Sequence, residues 1–147
     1  MPDTNLDALF TVANGVAMVG WVMLVAAPVG SRWLRIGVGA VGILLAVVYG
    51  GLIASSVTRA SGGFGSLAAV AELFGHRGVL LAGWVHYLVF DLMVGLWERA
   101  EADRVCMPRW WLVPCLAMTL MVGPVGWLAF LAARRLHGRR REASTAP

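Results

Sequence analysis

Four apolar runs, at residues 6–27, 36–57, 79–97 and 110–133, leave this chain few ways to fold. Crossing about 30 Å of hydrocarbon at about 1.5 Å per residue takes roughly 20 residues of helix. No run alternates polar and apolar residues as a barrel strand does, and in lipid only a helix or a closed barrel satisfies its own backbone. The sequence therefore predicts an all-α integral membrane protein, a four-transmembrane-helix bundle forming a single domain over residues 1–147, with a basic C-terminal tail at 134–147. Composition agrees, with 59% hydrophobic and 14% charged residues, where soluble domains average about 45–50% and 25%. The N-terminal "MPDTNLDALF" is acidic and leads into a run too long for a signal peptide, so the first segment reads as a retained anchor.

Four spans place both termini on one side of the membrane. That side would collect Arg59, Arg77 and the five Arg of "RRLHGRRRE", against Arg32, Arg35, Arg99, Arg104 and Arg109 opposite. Positive-inside counting then puts both termini of a multi-pass cell- or inner-membrane protein in the cytoplasm, by a small margin. Trp33, Trp97, Trp110 and Trp111 fall at segment ends, where interfacial anchors belong. A basic tail beside a span reads as contact with membrane lipids rather than nucleic acid.

Packing is partly legible too. Gly42, Ala46, Gly50 and Ala54 form a stripe of small residues along the second segment, suited to close helix approach within the chain or in a homo-oligomer. "GPVG" at 123–126 predicts a kink in the fourth segment. Between the second and third segments, "SLAAVAELF" has Ser66 as N-cap and apolar residues near helical spacing, and reads as a short interfacial helix.

The chemistry concentrates in the third segment, "LLAGWVHYLVFDLMVGLW", which carries His86, Tyr87 and Asp91 at mid-span. A carboxylate there costs about 2.5–3.5 kcal/mol to insert and is by default a functional residue. No Lys or Arg lies inside the four segments, so an ion pair for Asp91 requires a flanking residue such as Arg77 or Arg99 to fold inward. The neutral polar candidates are Asn14, Tyr49, Tyr87 and Thr119. Lipid favours the uncharged form of both Asp91 and His86, giving an acid and a base. At about 100° per residue, Trp84, Tyr87, Asp91, Gly95 and Glu98 share one helix face, with His86 and Phe90 about 140° away. The two groups thus share a wide cavity, or one of them is structural. Glu72, on the short helix, is a third candidate carboxylate, with solvation as its plain alternative. Trp21, Trp84, Phe90 and Trp127 supply apolar lining, and Asn14, Tyr49 and Tyr87 polar contacts, for a lipophilic small molecule. Glu72, His76, His86 and Asp91 match no strong metal spacing, and Cys106 and Cys115 form no C-x-x-C pair and read as free thiols. No cofactor is called for.

The order "GSLAAVAELF", "LAGWVHYLVFDLMVGLW" and "VPCLAMTLMVGPVGWL", over about residues 64–130, closely resembles the abscisic-acid-deficient, neoxanthin-synthase-like family of small integral membrane proteins. "GWVMLVAAP" in the first segment fits the same pattern more loosely. Plant members are required for converting violaxanthin to neoxanthin, which opens an epoxide and creates an allene without net redox change. The resemblance implies action on a carotenoid or similar isoprenoid, alone or with a partner enzyme. Epoxide opening needs an acid at the ring oxygen and a base at a carbon-bound proton, types that Asp91, His86 and Glu72 provide. Three readings stay open: an acid–base isomerase or lyase, a non-catalytic carotenoid-binding or assembly protein, and a metal-dependent membrane enzyme.

Overall fold

A computed structural model describes the backbone of residues 3–145 and the side chains of residues 5–140. Its helices are α1 (Asp3–Ala26), α2 (Arg32–Ser56), α3 (Leu67–Gly75), α4 (Arg77–Arg104), α5 (Arg109–Val122) and α6 (Pro124–Thr145), with a 3-10 turn at Val57–Arg59 after α2. No strand occurs among the described residues. Three stretches, Asn5–Ala26, Arg32–Arg59 and Arg77–Arg104, are long and apolar enough to cross a membrane. Large apolar side chains stand open along them, Ile43 at 69% and Val47 at 68% exposure among others. Water would penalise that surface, whereas lipid accepts it.

Two departures from the sequence reading matter for function. The first is that α4 does not stop at Trp97 but continues through "ERAEADR" to Arg104, taking Glu98 and Arg99 into the helix, where they are 0% and 1% exposed. The second is that the segment at 110–133 is not one helix. It breaks at Gly123, whose φ of +47° lies in the left-handed region that favours glycine, and Pro124 restarts it, its missing N–H suited to a first helical turn. The chain does more than kink there. A Cβ on Gly126 would lie 2.1 Å from Thr119 N and 2.4 Å from Met118 C, so α6 doubles back on α5. Trp111 meets His137 at a ring separation of 6.4 Å, and the Arg140 guanidinium lies 5.3 Å from the Trp111 ring. In one continuous helix residues 111 and 137 would be about 39 Å apart. The fourth apolar segment is an antiparallel helical hairpin.

The described residues form two compact units, each with its own core. In the first, Met1–Val19 with Ala40–Phe90, Ala13 and Ala17 of α1 pack with Leu45 and Leu52 of α2 and Ala82 and Val85 of α4, every pair at helical spacing. Most of the small-residue stripe of α2 lies off this packing face: Gly42 is buried, but Ala46, Gly50 and Ala54 are exposed. The short helix appears where expected, with the Ser66 hydroxyl accepting from Ala69 N at 3.1 Å, and Phe74 of α3 lies against Gly83 of α4, where a Cβ would come within 2.6 Å of its ring.

In the second unit, Gly20–Gly39 with Asp91–Pro147, Trp21 and Leu24 lie against Gly95, whose missing Cβ would stand 2.9 Å from the indole and 3.0 Å from Leu24. Arg99 holds the end of α1. Leu24 O would normally accept from the N–H four residues on, but that residue is Pro28, which has none. Arg99 Nη1 supplies the missing donor at 3.2 Å, its Nη2 donates to Ala27 O at 3.1 Å, and its Nε to Asp103 Oδ1 at 3.1 Å. Arg109 also donates to Ala27 O. Charge-assisted bonds of this kind contribute about 1.5–3 kcal/mol each. The inward-folding arginine considered for Asp91 thus exists, but its hydrogen bonds go to a helix end and to Asp103.

Candidate functional site

Asp91 stands at the middle of the 28-residue α4, half-buried, and faces the break in the hairpin. A Cβ on Gly123 would meet its Oδ1 at 3.2 Å and its Oδ2 at 3.4 Å, so glycine at the break lets the carboxyl lie against backbone. Non-helical backbone at membrane depth persists only where protein or a cavity serves its polar groups. Gly123 N donates to Thr119 O at 2.9 Å, and Gly123 O accepts from Trp127 N at 3.2 Å, which closes both helix ends at the break.

A second carboxyl follows two turns along the same face. Glu98 is fully buried, and its Oε1 accepts from the Thr119 hydroxyl at 2.9 Å, while its Oε2 has no hydrogen-bond partner among the described residues. The buried indole N–H of Trp21, whose ring lies against Gly95, also has no hydrogen-bond partner among the described residues. The site is therefore built as a half-open carboxyl at the hairpin apex, backed by a closed carboxyl that Thr119 holds. Met121 (74% exposed), Val125 and the partly open Trp127 surround the apex with apolar surface.

The remaining residues singled out from the sequence lie in the first unit, in two aromatic strings. Asn14 donates to Phe10 O at 2.7 Å and accepts from Trp84 Nε1 at 3.2 Å, and the Trp84 ring lies 5.4 Å from Tyr87. His86 sits between Tyr49 at 5.5 Å and Phe90 at 4.5 Å, a ring among rings. Glu72 is exposed on α3 beside Gly62, and no contact among the described residues brings it to His86. Among the described residues no three His, Cys, Asp or Glu side chains gather as a metal site, and both cysteines are free.

Glu98 and Gly123 are the site residues that sequence reading did not single out. Glu98 falls on the Asp91 face at seven-residue spacing, and only the expected span end at Trp97 kept it apart. Thr119 stood among the polar candidates for Asp91, but its hydroxyl serves Glu98 instead.

Helices of spanning length, apolar side chains turned outward, and a half-buried carboxyl at mid-helix with a fully buried one two turns on define an α-helical membrane protein with a polar site inside its apolar segments. The chain matches the ABA4-like family, ABA DEFICIENT 4-like, over residues 8–130, and belongs to it. The match includes Asp91, Glu98, Thr119 and Gly123 and ends before the basic tail. Searches of curated proteins and of solved structures returned no match. Family and apolar helices together are compatible with a membrane protein of carotenoid metabolism.

Proposed function

We propose that this protein is a membrane-embedded isomerase or lyase that opens a carotenoid or other isoprenoid epoxide by acid–base chemistry without net redox change. The observation that carries the reading is the half-buried Asp91 carboxyl, at the centre of α4 and against the Gly123 break, where the hairpin apex turns apolar side chains outward. A long hydrocarbon substrate reaches such a site from the lipid.

One carboxyl completes the reaction. Protonated Asp91 gives its proton to the epoxide oxygen as the C–O bond breaks, and the carboxylate so formed takes a proton from the adjoining carbon as the new double bond forms. Atoms and charge balance, and Asp91 ends as it began. Lipid stabilises the uncharged acid that begins the cycle. Glu98 is a positioning group behind it, held by Thr119 and set to share the electrostatic load. His86, set between the rings of Tyr49 and Phe90, is given no proton-transfer role, and neither is Glu72.

The second reading, a carotenoid-binding or assembly protein without turnover, draws on the strings Trp84–Tyr87 and Tyr49–His86–Phe90, which present ring faces suited to a polyene. Pigment extracts from cells with and without the gene separate the two. The expected result is a new species of unchanged mass; altered pigment retention with no new species favours the binder.

Membrane topology follows from the hairpin. We propose three spans, α1, α2 and α4, with α5 and α6 as a re-entrant pair and α3 lying at the interface. The 14 residues of α5 reach about 21 Å, short of the roughly 30 Å needed. Arg134 of α6 pairs with Glu101 near the end of α4, which supports a return to the side that α5 left. The termini then lie on opposite sides. Arg59 and Arg77 remain with the N-terminus while the other ten Arg gather opposite, of twelve in all, so the narrow margin of the four-span count becomes a wide one and places the C-terminus in the cytoplasm. A topology reporter fused after Pro147 is expected to read cytoplasmic, and one fused before Met1 to read the far side. Two cytoplasmic readings restore the four-span bundle.

A further inference from the structure

A cavity of about 330 Å³ in the first unit opens at the start of α4, away from Asp91 in sequence and chemistry. Its polar lining comes from Ser55, Ser56, Arg59, His76 and Arg77, and among the described residues no acidic side chain lines it. Arg59 and Arg77 are the only arginines between Arg35 and Arg99, and both line this one cavity. Arg77 is steadied by Asp7 at 2.6 Å, whereas Arg59 has no ion-pair partner among the described residues.

The cavity also holds unspent donors. Ser56 is only 7% exposed, yet its hydroxyl caps nothing and makes no hydrogen bond among the described residues. His76 Nδ1 is buried without a hydrogen-bond partner among the described residues. Gly78 completes the cradle, since a Cβ there would stand 2.2 Å from Ser56 Oγ and 3.3 Å from His76 Cε1. Leu80 N is the donor to His76 O at 2.9 Å, so the positive end of the α4 dipole opens on the same space. The Arg59 guanidinium, a buried hydroxyl, an imidazole and a helix start line one cavity, with Arg77, held by Asp7, at its edge, and groups of these kinds serve a phosphate.

A mostly apolar groove of about 250 Å³ adjoins it, sharing Leu6 and Arg77 and lined further by Phe10, Leu80, Leu81 and Trp84, with Asp7, the ion-pair partner of Arg77, at its polar edge. A free anion has no use for that groove, but a hydrocarbon chain fills it. The geometry points to a binding site for a phosphate-bearing amphiphile, with its head at Arg59, Ser56 and His76 and its chain along Phe10 and Trp84. Phospholipids and polyprenyl phosphates share this chemistry, and it differs from that of an uncharged carotenoid.

Native mass spectrometry of the full chain in detergent, titrated separately with phosphatidic acid, farnesyl phosphate, phosphatidylcholine and inorganic phosphate, tests the site. Phosphatidic acid and farnesyl phosphate are each expected to bind in preference to phosphatidylcholine, and inorganic phosphate to bind far more weakly than either. The tighter of the two identifies the source. Arg59→Gln is expected to weaken the phosphate amphiphiles about tenfold, and Arg59→Lys to recover part of the loss. Because the Arg59 side chain is exposed and makes no ion pair among the described residues, folding is expected to survive, and Ser56→Ala gives a second reading on the same head group. Equal binding of phosphatidic acid and phosphatidylcholine overturns the site, as does full affinity in both variants. Inorganic phosphate binding as tightly as the amphiphiles overturns the role of the groove.

Discussion

Asp91→Asn is expected to insert and fold normally while losing about 10²–10⁴-fold in turnover, the usual contribution of a placed acid–base group. The amide is nearly isosteric with the carboxyl, so contact with the Gly123 backbone is kept. What is lost is a proton that can be given to an epoxide oxygen and replaced from carbon. Glu98→Gln makes a milder companion, since the amide oxygen still accepts from the Thr119 hydroxyl and the group does not touch substrate. Its expected signature is a smaller drop in kcat with KM unchanged. If the two carboxyls act together, the double variant is no slower than Asp91→Asn alone, because effects within one functional unit do not add. Protein level and unfolding temperature must be read beside product formation. Asp91→Asn with near wild-type turnover would remove the catalytic assignment. Asp91→Leu separates a structural role, because it leaves the polar surroundings of the carboxyl unserved and should lower stability even where Asn does not.

The parts of this molecule that local chemistry decides could be read from the chain. Apolar runs of about 20 residues, the length a span requires, announced α1, α2 and α4, and Ser66 announced the start of α3. Helix periodicity separated His86 from Asp91 by about 140°, and the two have different surroundings, an aromatic string for one and the hairpin break for the other. Long-range contacts decided the rest. "ERAEADR" reads as a polar exit from the membrane, yet Arg99 is drawn inward by carbonyls at the end of α1, one of them left without its donor by Pro28. Nothing near position 99 reports that need. "GPVG" likewise reads as a kink, because a Gly-Pro break fixes only that a helix is interrupted, and the direction of the following helix depends on what Gly126 meets.

Gly126 is therefore where the largest structural effect is expected. A Cβ there would stand 2.1 Å from Thr119 N, 2.4 Å from Met118 C and 2.4 Å from Thr119 Cα, and those atoms are helix backbone that cannot rotate aside. Gly126→Val must push α5 and α6 apart, at an expected cost of about 3 kcal/mol or more, the upper range for overpacking. The loss reaches the site as well, because Thr119, the residue displaced, donates to Glu98 and accepts from Gly123 N beside Asp91. Turnover should then fall although residue 126 touches no reacting group. Gly50→Ala is the matched control. Nothing lies within 4 Å of a Cβ at Gly50, and alanine suits a helix better than glycine, so stability should hold or rise slightly. Thermal unfolding of the two variants in detergent, read beside activity, tests the hairpin itself. If Gly126→Val unfolds at the wild-type temperature, α5 and α6 do not approach as closely as their backbones here require, and the placement of Thr119 behind Glu98 falls with that contact.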